Sequence, residues 1–243
     1  MTATTADTAQ PAPFAPPTFA APATPTTQDA TAHGFLLPIV GGAAFAHLLN
    51  DMIQAMLPSI FPMLKANFSL SFGQIGIIAL VYQVTASLLQ PWIGFYTDKH
   101  PKPYLLPAGM CMTLLGIALL AVAHSYPMLL VAAAVVGVGS ATFHPEASRI
   151  ARLASGGRFG TAQSTFQVGG NTGTAIGPLL TAAIVIPHGQ PAVAWFMVAA
   201  LLAIFVLYRL TVWVRHHGAA KARGWRGAAT RAWTGPAWCG PWP

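Results

Sequence analysis

Of the 243 residues, 54% are hydrophobic and only 7% are charged, against roughly 25% charged in a soluble domain, and the mean hydropathy is +0.57. That balance excludes an ordinary soluble enzyme, a disordered chain and a nucleic-acid binder with a basic face, and it points to lipid. The net charge of +7 comes from 12 Lys and Arg against 5 acids; Asp7 and Asp29 lie in a polar leader, which leaves Asp51, Asp98 and Glu146 for the rest of the chain.

Residues 1–33 are rich in Thr, Ala and Pro, without Lys, Arg or apolar periodicity. Such a segment buries too little apolar surface to offset its ordering entropy, and it lacks the basic start and compact apolar stretch of a secretory signal. It is expected to be a disordered extension. Six apolar runs follow: Phe35–Leu64, Gln74–Tyr96, Tyr104–Ala123, Pro127–Ile150, Gly160–Ile186 and Ala192–Val214. Each reaches the about 20 residues that a spanning helix needs. They lack strict two-residue alternation, and lipid admits only helices and closed barrels, so the runs predict an all-α membrane protein with a six-helix unit over residues 34–217. From Gly218 the chain mixes Trp225, Trp233, Trp238 and Trp242 with Gly, Ala, Arg and Pro. This 218–243 segment is expected to be irregular; an out-of-frame or truncated end is favoured over a native basic tail. Two cysteines, Cys111 and Cys239, are too few and too distant for a metal knuckle or disulfide framework, and Cys111 reads as a small buried hydrophobe.

Basic residues in loops set orientation. Lys99 and Lys102 follow the second run, Arg149, Arg152 and Arg158 mark the end of the fourth and the loop after it, and Arg209, Arg215, Lys221 and Arg223 mark the end of the sixth. The first loop holds only Lys65, and the third and fifth hold none. Thr97–Pro103 and both ends of the six-helix unit are therefore expected in the cytoplasm.

Polar residues divide the runs into two kinds. In the first, His47, Asn50, Asp51 and Gln54 fall at i, i+3, i+4 and i+7 and share one helix face. Gln83, Ser87 and Gln90 do the same in the second, and Gln163, Gln167, Asn171 and Thr174 in the fifth. The fourth carries Ser140, Thr142, His144 and Glu146. The third and sixth are nearly blank and read as facing lipid all round. One stripe could be interhelical glue; four stripes on runs one, two, four and five point to a shared polar cavity. Its candidate lining is His47, Asn50, Gln54, Gln83, Gln90, Arg149, Gln167 and Asn171. Asp51 stands at mid-span, where a charge costs about 2.5–3.5 kcal/mol, a position suited to a proton carrier; its alternative role is packing against His47 or Asn50. Glu146 and His144 are further proton-coupling candidates, although Glu146 and Arg149 at i, i+3 could simply pair at the membrane edge.

The loop Gly94-Phe-Tyr-Thr-Asp98-Lys99-His-Pro-Lys102 resembles the signature between the second and third helices of the major facilitator superfamily, with Pro101 replacing its second glycine. The resemblance implies a conformational gate of Gly94, Asp98, Lys99 and Lys102, with Gly94 allowing close helix approach. Gly173-Thr-Ala-Ile-Gly177-Pro178 resembles the superfamily's antiporter motif, a packing element. The fourth run departs from the drug/proton antiporter pattern, since Ala134 stands where its arginine would be and only Gly137 matches. More narrowly, His47-Leu-Leu-Asn50-Asp51, Leu88-Leu-Gln90-Pro91, Phe143-His144-Pro145-Glu146, Ala154-Ser-Gly-Gly157 and Gln167-Val-Gly-Gly-Asn171 are similar to the fosmidomycin resistance branch of that superfamily. The resemblance implies a bacterial inner-membrane transporter, multi-pass, that expels a small antibiotic in exchange for protons.

The superfamily fold joins two six-helix halves around the substrate, so this sequence is expected to be the N-terminal half. The alternative is a non-transporting six-helix remnant of a truncated or frameshifted gene. The expected partners are the bilayer, a small-molecule drug, protons, and a second six-helix half or another copy of the chain, with no nucleic acid. An enzyme is not expected, because no zinc-protease, nucleophile-elbow or paired-Asp motif occurs. No cofactor or metal is expected either, since the eight histidines are dispersed along the chain.

Overall fold

The computed structural model describes residues 34–100, 102 and 104–233, with the backbone alone for Asp98 and residues 217–233. The expected extension over 1–33 and the last ten residues, 234–243, lie outside the described residues. Among the described residues, eight α-helices run in order: α1 Leu37–Ser59, α2 Phe61–Asn67, α3 Phe72–Lys99, α4 Leu105–Ala121, α5 Tyr126–Leu153, α6 Phe159–Leu180, α7 Ile186–His188 and α8 Phe196–Trp233. Helices α1, α3, α4, α5, α6 and α8 are the six expected runs, and together they form a six-helix bundle.

Three of the runs differ in detail from their expected form. The first breaks at Ile60 into α1 and the short α2, because Pro58 and Pro62 each lack a donor and disturb the preceding turn. The fifth passes from α6 into a wider π-turn at Thr181–Val185, bracketed by Pro178 and Pro187. The sixth begins with a 3₁₀ turn, Gln190–Trp195, and then stays helical to Trp233. The irregular segment expected from Gly218 is thus helical as far as Trp233. Its Ala, Lys and Arg are strong helix formers, and they outweigh the interspersed glycines.

Not every run is a membrane span by length and apolarity alone. Phe72–Thr97, Tyr126–Leu153, Phe159–His188 and Gln190–His216 meet both conditions. The 17-residue α4 is apolar but short. The 23-residue α1 is long enough, but its polar stripe dilutes its apolar character.

Local chemistry fixes the ends. Ser71 and Gln74 form a reciprocal capping box at the start of α3. Gly156 and Gly157, at φ 59° and 89°, make the turn from α5 to α6 in a backbone region that glycine enters without strain. Gln190 donates to the carbonyls of Leu120 and Ala123 at 2.9 and 2.8 Å, satisfying acceptors orphaned at the end of α4.

In lipid, apolar burial gives little drive for helices to associate, and close packing must supply it. The two most extensive seams are α1 against α6 and α4 against α5, with α3 also laid along α5. On α6, a Cβ placed on Gly169 or Gly173 would stand 2.1 Å from the backbone oxygen of Ala44 or Leu48, and one on Gly177 would stand 2.6 Å from that of Met52. Between α4 and α5, a Cβ on Gly139 would stand 2.6 Å from the Gly109 oxygen. Gly94, expected to permit close approach, is not needed for it: a Cβ there would meet Pro145 at an ordinary 3.7 Å.

The blank helices are not lipid-facing all round. Leu106, Met110, Ile117 and Leu120 of α4 are buried, as are Phe196, Ala200, Ala203 and Leu207 of α8. Each has one face in the bundle and one outside, and the absence of polar residues keeps both out of the cavity rather than out of the core. Cys111 lies on the outer face of α4 and is exposed, not buried.

The basic residues gather at one end. The amide of Leu36 donates to the Ala154 carbonyl at 3.0 Å, Arg158 lies over the Phe35 ring, and Arg215 donates to the Tyr104 hydroxyl. At the opposite end Tyr126 donates to the Gln74 carbonyl, and Lys65 lies over Phe72.

Candidate functional site

The i, i+4 spacing on α1 puts His47 and Asp51 one turn apart on the same face, with Nε2 and Oδ2 3.2 Å apart. Close passage of α6 brings the Phe166 carbonyl within 2.8 Å of His47 Nδ1, and the Phe166 ring stacks on the imidazole at 4.0 Å. A carbonyl can only accept, so Nδ1 carries the hydrogen and the ring orientation is fixed. From α5, His144 reaches the same carboxylate, with Nε2 3.8 Å from Asp51 Oδ1, and its ring stands edge-on to His47 at 5.2 Å. Two helices, α1 and α5, thus bring two imidazoles to one carboxylate, and α6 orients one of the rings.

Asp51 is also held from its own helix. Asn50 donates to Oδ1 at 3.0 Å and Gln54 at 3.3 Å. Tyr82 on α3 donates to Gln54 Oε1 at 2.7 Å, tying the second-run helix into the network. Gly170 is the floor of the cluster: a Cβ there would stand 2.4 Å from His47 Cε1 and 2.7 Å from Asp51 Oδ2.

The cluster forms one wall of an open cavity of about 800 Å³ lined from α1, α3, α5 and α6, the four helices whose sequences carry polar stripes. His47, Asp51, His144, Gln90 and Gln167 line it, joined by Phe166. The other sequence candidates sit elsewhere. Asn50 is fully buried and Gln54 is spent between Asp51 and Tyr82, so both brace the carboxylate. Gln83 is exposed and donates to Ser87. Asn171 is exposed and accepts from Gln167 at 3.2 Å.

Glu146 and Arg149 pair at 3.0 Å, and both line a neighbouring pocket of about 270 Å³ that Gly94 also borders. Glu146 is buried and Arg149 half-buried, so this pair belongs to a separate pocket from the His–Asp–His cluster. Of the residues expected to form a gate, Lys99 lies over the Phe95 ring at 4.1 Å and Lys102 is exposed; the Asp98 side chain lies outside the described residues.

The sequence assigns no role to Tyr82 or Phe166, and Gly170 enters it only within the string Gln167-Val-Gly-Gly-Asn171. Phe166 precedes Gln167 on α6, Gly170 lies one turn after it, and Tyr82 precedes Gln83 on α3, but their roles depend on which helix is opposite. The histidines, dispersed in sequence, are not dispersed in space: His47 and His144 share Asp51.

The chain matches the model of the Major Facilitator Superfamily over residues 43–240. It is 54% identical over 198 residues to the fosmidomycin resistance protein of Escherichia coli K12, covering 82% of this chain and 48% of that protein. It is 46% identical over 176 residues to YfnC of Bacillus subtilis 168, an uncharacterised transporter of the same superfamily, covering 72% of this chain and 43% of the relative. To a probable nitrate transporter of Staphylococcus carnosus, NarT, it is 25% identical over 157 residues, covering 64% of this chain and 40% of that protein. The chain therefore spans about half the length of the curated relatives it matches.

Proposed function

Because the chain belongs to the major facilitator superfamily, we propose that it is the N-terminal half of a proton-coupled secondary transporter that expels a small antibiotic across a bacterial inner membrane. The observation that carries this reading is the single carboxylate, Asp51, set between two imidazoles on the wall of an open cavity. Asp51 takes up and gives up the transported proton, with His47 and His144 as its partners. The drug enters the cavity between this half and a facing six-helix half. The likeness to the E. coli fosmidomycin resistance protein supports fosmidomycin as the first substrate to test.

The basic end of the bundle is the cytoplasmic end, on the rule that Lys and Arg are retained inside. Glu146 and Arg149, beside Gly94, belong to the gate at that end with Asp98, Lys99 and Lys102, while Gly173, Gly177 and Pro178 form the packing element on α6.

The open cavity favours a half that needs a partner. Gln167 and Asn171 are exposed and satisfy only each other, and an unpaired polar group in hydrocarbon costs several kcal/mol. The chain alone is therefore a non-transporting membrane protein that self-associates or is degraded. The test is drug resistance in a sensitive host lacking its own transporter. Residues 1–216 joined to the second half of the E. coli relative should confer fosmidomycin resistance that vanishes when the proton gradient is collapsed, and the 243-residue chain alone should confer none. Resistance that survives collapse of the gradient would reject proton coupling, and resistance from the chain alone would reject the need for a second half.

A further inference from the structure

The contact between His47 and Asp51 needs a proton or another positive centre between the two facing atoms. The ring's Nδ1 hydrogen is committed to the Phe166 carbonyl at 2.8 Å, so in the neutral ring Nε2 carries only a lone pair. That lone pair faces Asp51 Oδ2 at 3.2 Å, and an ionised carboxylate also offers only lone pairs. Two acceptors hold this distance only with a positive centre between them. A proton is one such centre. The third donor indicates that the site is built for more, because His144 Nε2 stands 3.8 Å from the other carboxylate oxygen, and all three ligand atoms lie within 4.8 Å of one another.

We infer that His47, Asp51 and His144 form an intramembrane site for a divalent transition-metal ion, of which Zn²⁺ is the best probe. Two nitrogens and a carboxylate oxygen are ligands such an ion prefers. Ligands about 2.0–2.2 Å from a tetrahedral zinc stand about 3.4 Å apart; His47 Nε2 stands 3.2 Å from one carboxylate oxygen and His144 Nε2 3.8 Å from the other, so both imidazoles reach the carboxylate near that spacing, through different oxygens. The outer shell is in place for two of the three groups. His47 is oriented through Nδ1 by a backbone carbonyl, the usual device for fixing a metal-binding imidazole, and Asn50 and Gln54 hold the carboxylate. His144 Nδ1 is buried without a hydrogen-bond partner, so its tautomer is not fixed from outside the site and either ring form is open to it. The cavity leaves the remaining coordination positions to water or to a bound anion.

Metal and proton compete for the same lone pair: a zinc–nitrogen bond forms at His47 Nε2 as the N–H bond there breaks, and the proton leaves to water. The other titratable or charged groups near the cluster are Tyr82 on α3, reached through Gln54, and on α5 the Glu146–Arg149 pair. Phe166 and Gly170 face it from α6. This site goes beyond the transport reading and is tested by binding alone.

The experiment titrates Zn²⁺ into the full 243-residue chain, purified in detergent at about pH 7, by calorimetry in two buffers of different ionisation enthalpy. One site is expected, with net proton release that falls as pH rises. H144A is the primary variant, since His144 is one-third exposed to the cavity and its loss leaves the α1–α6 seam untouched; D51N is the second, and unchanged helical circular dichroism verifies both. Each should weaken binding by more than the roughly 10–100-fold typical of losing an outer-shell partner. Replacing His216 and His217 with alanine should leave the site intact. No zinc binding, or binding unchanged in H144A and D51N but lost with His216 and His217, overturns the inference. Absent zinc binding with intact proton-driven efflux in the joined transporter would leave the proton as the sole cation of the pair.

Discussion

Two seams of this bundle use one packing device and do different things with it. Along α1 and α6, Gly169, Gly173 and Gly177 press against backbone oxygens of the facing helix; between α4 and α5, Gly109, Gly116 and Gly139 allow an equally close approach, with the side chains of Thr142, Val136 and Thr113 nearest and facing backbone just behind them. The α4–α5 seam contains two polar side chains that turn back on their own helices, Thr113 to the Gly109 carbonyl and Thr142 to the Gly139 carbonyl. The α1–α6 seam contains His47 and Asp51, and it opens on the cavity. Close approach by small residues is the general means of association in lipid. What separates the two seams is an ionisable pair placed where one of them opens on the cavity.

The comparison can be broken most severely at its shared feature. Gly173→Leu and Gly139→Leu each drive a side chain into backbone that cannot yield. Both should cost well above the about 1–3 kcal/mol of ordinary overpacking and leave little folded protein in a detergent unfolding titration. A tolerated Gly173→Leu would mean that α6 does not need its contact with α1.

Gly170→Ala separates packing from function. Its new methyl meets the side chains of His47 and Asp51 rather than backbone, so they can shift. We expect a stability loss of about 1–3 kcal/mol, with drug resistance lost in the joined transporter although the protein reaches the membrane. Retained resistance would show that the His47–Asp51 geometry is not needed for transport.

A smaller effect is expected from Tyr82→Phe, which removes only the hydroxyl that holds Gln54. Loss of such a hydrogen bond costs about 0.5–1.5 kcal/mol and should lower the drug concentration tolerated without abolishing resistance. Thr113→Val should be smallest, at about 0.6 kcal/mol or less, with resistance unchanged; a large transport defect there would erase the distinction between the two seams.

The stripe His47, Asn50, Asp51 and Gln54 was legible as one helix face because 3.6 residues per turn fixes that relation inside a helix. Spacing could not separate His47 and Asp51, which face the cavity, from Asn50 and Gln54, which brace the carboxylate, since that depends on the rotation of α1 against α6. His144 is 93 positions from Asp51, and only the fold brings it there. Apolar runs located the helices but not the break at Ile60 or the π-turn at Thr181–Val185, where prolines redirect the backbone without ending the run. Cys111 and the blank α4 and α8 were misplaced for the same reason: in a membrane helix an apolar residue suits core and lipid alike, so composition does not say which side it faces.

The central claim is that Asp51, between its two imidazoles, couples the proton gradient to efflux. The most direct measurement reconstitutes the joined transporter and its Asp51→Asn variant in vesicles and follows labelled fosmidomycin under an imposed pH gradient and, separately, in exchange without one. The account predicts that the variant loses pH-driven accumulation and keeps exchange. Undiminished pH-driven accumulation in Asp51→Asn would contradict it.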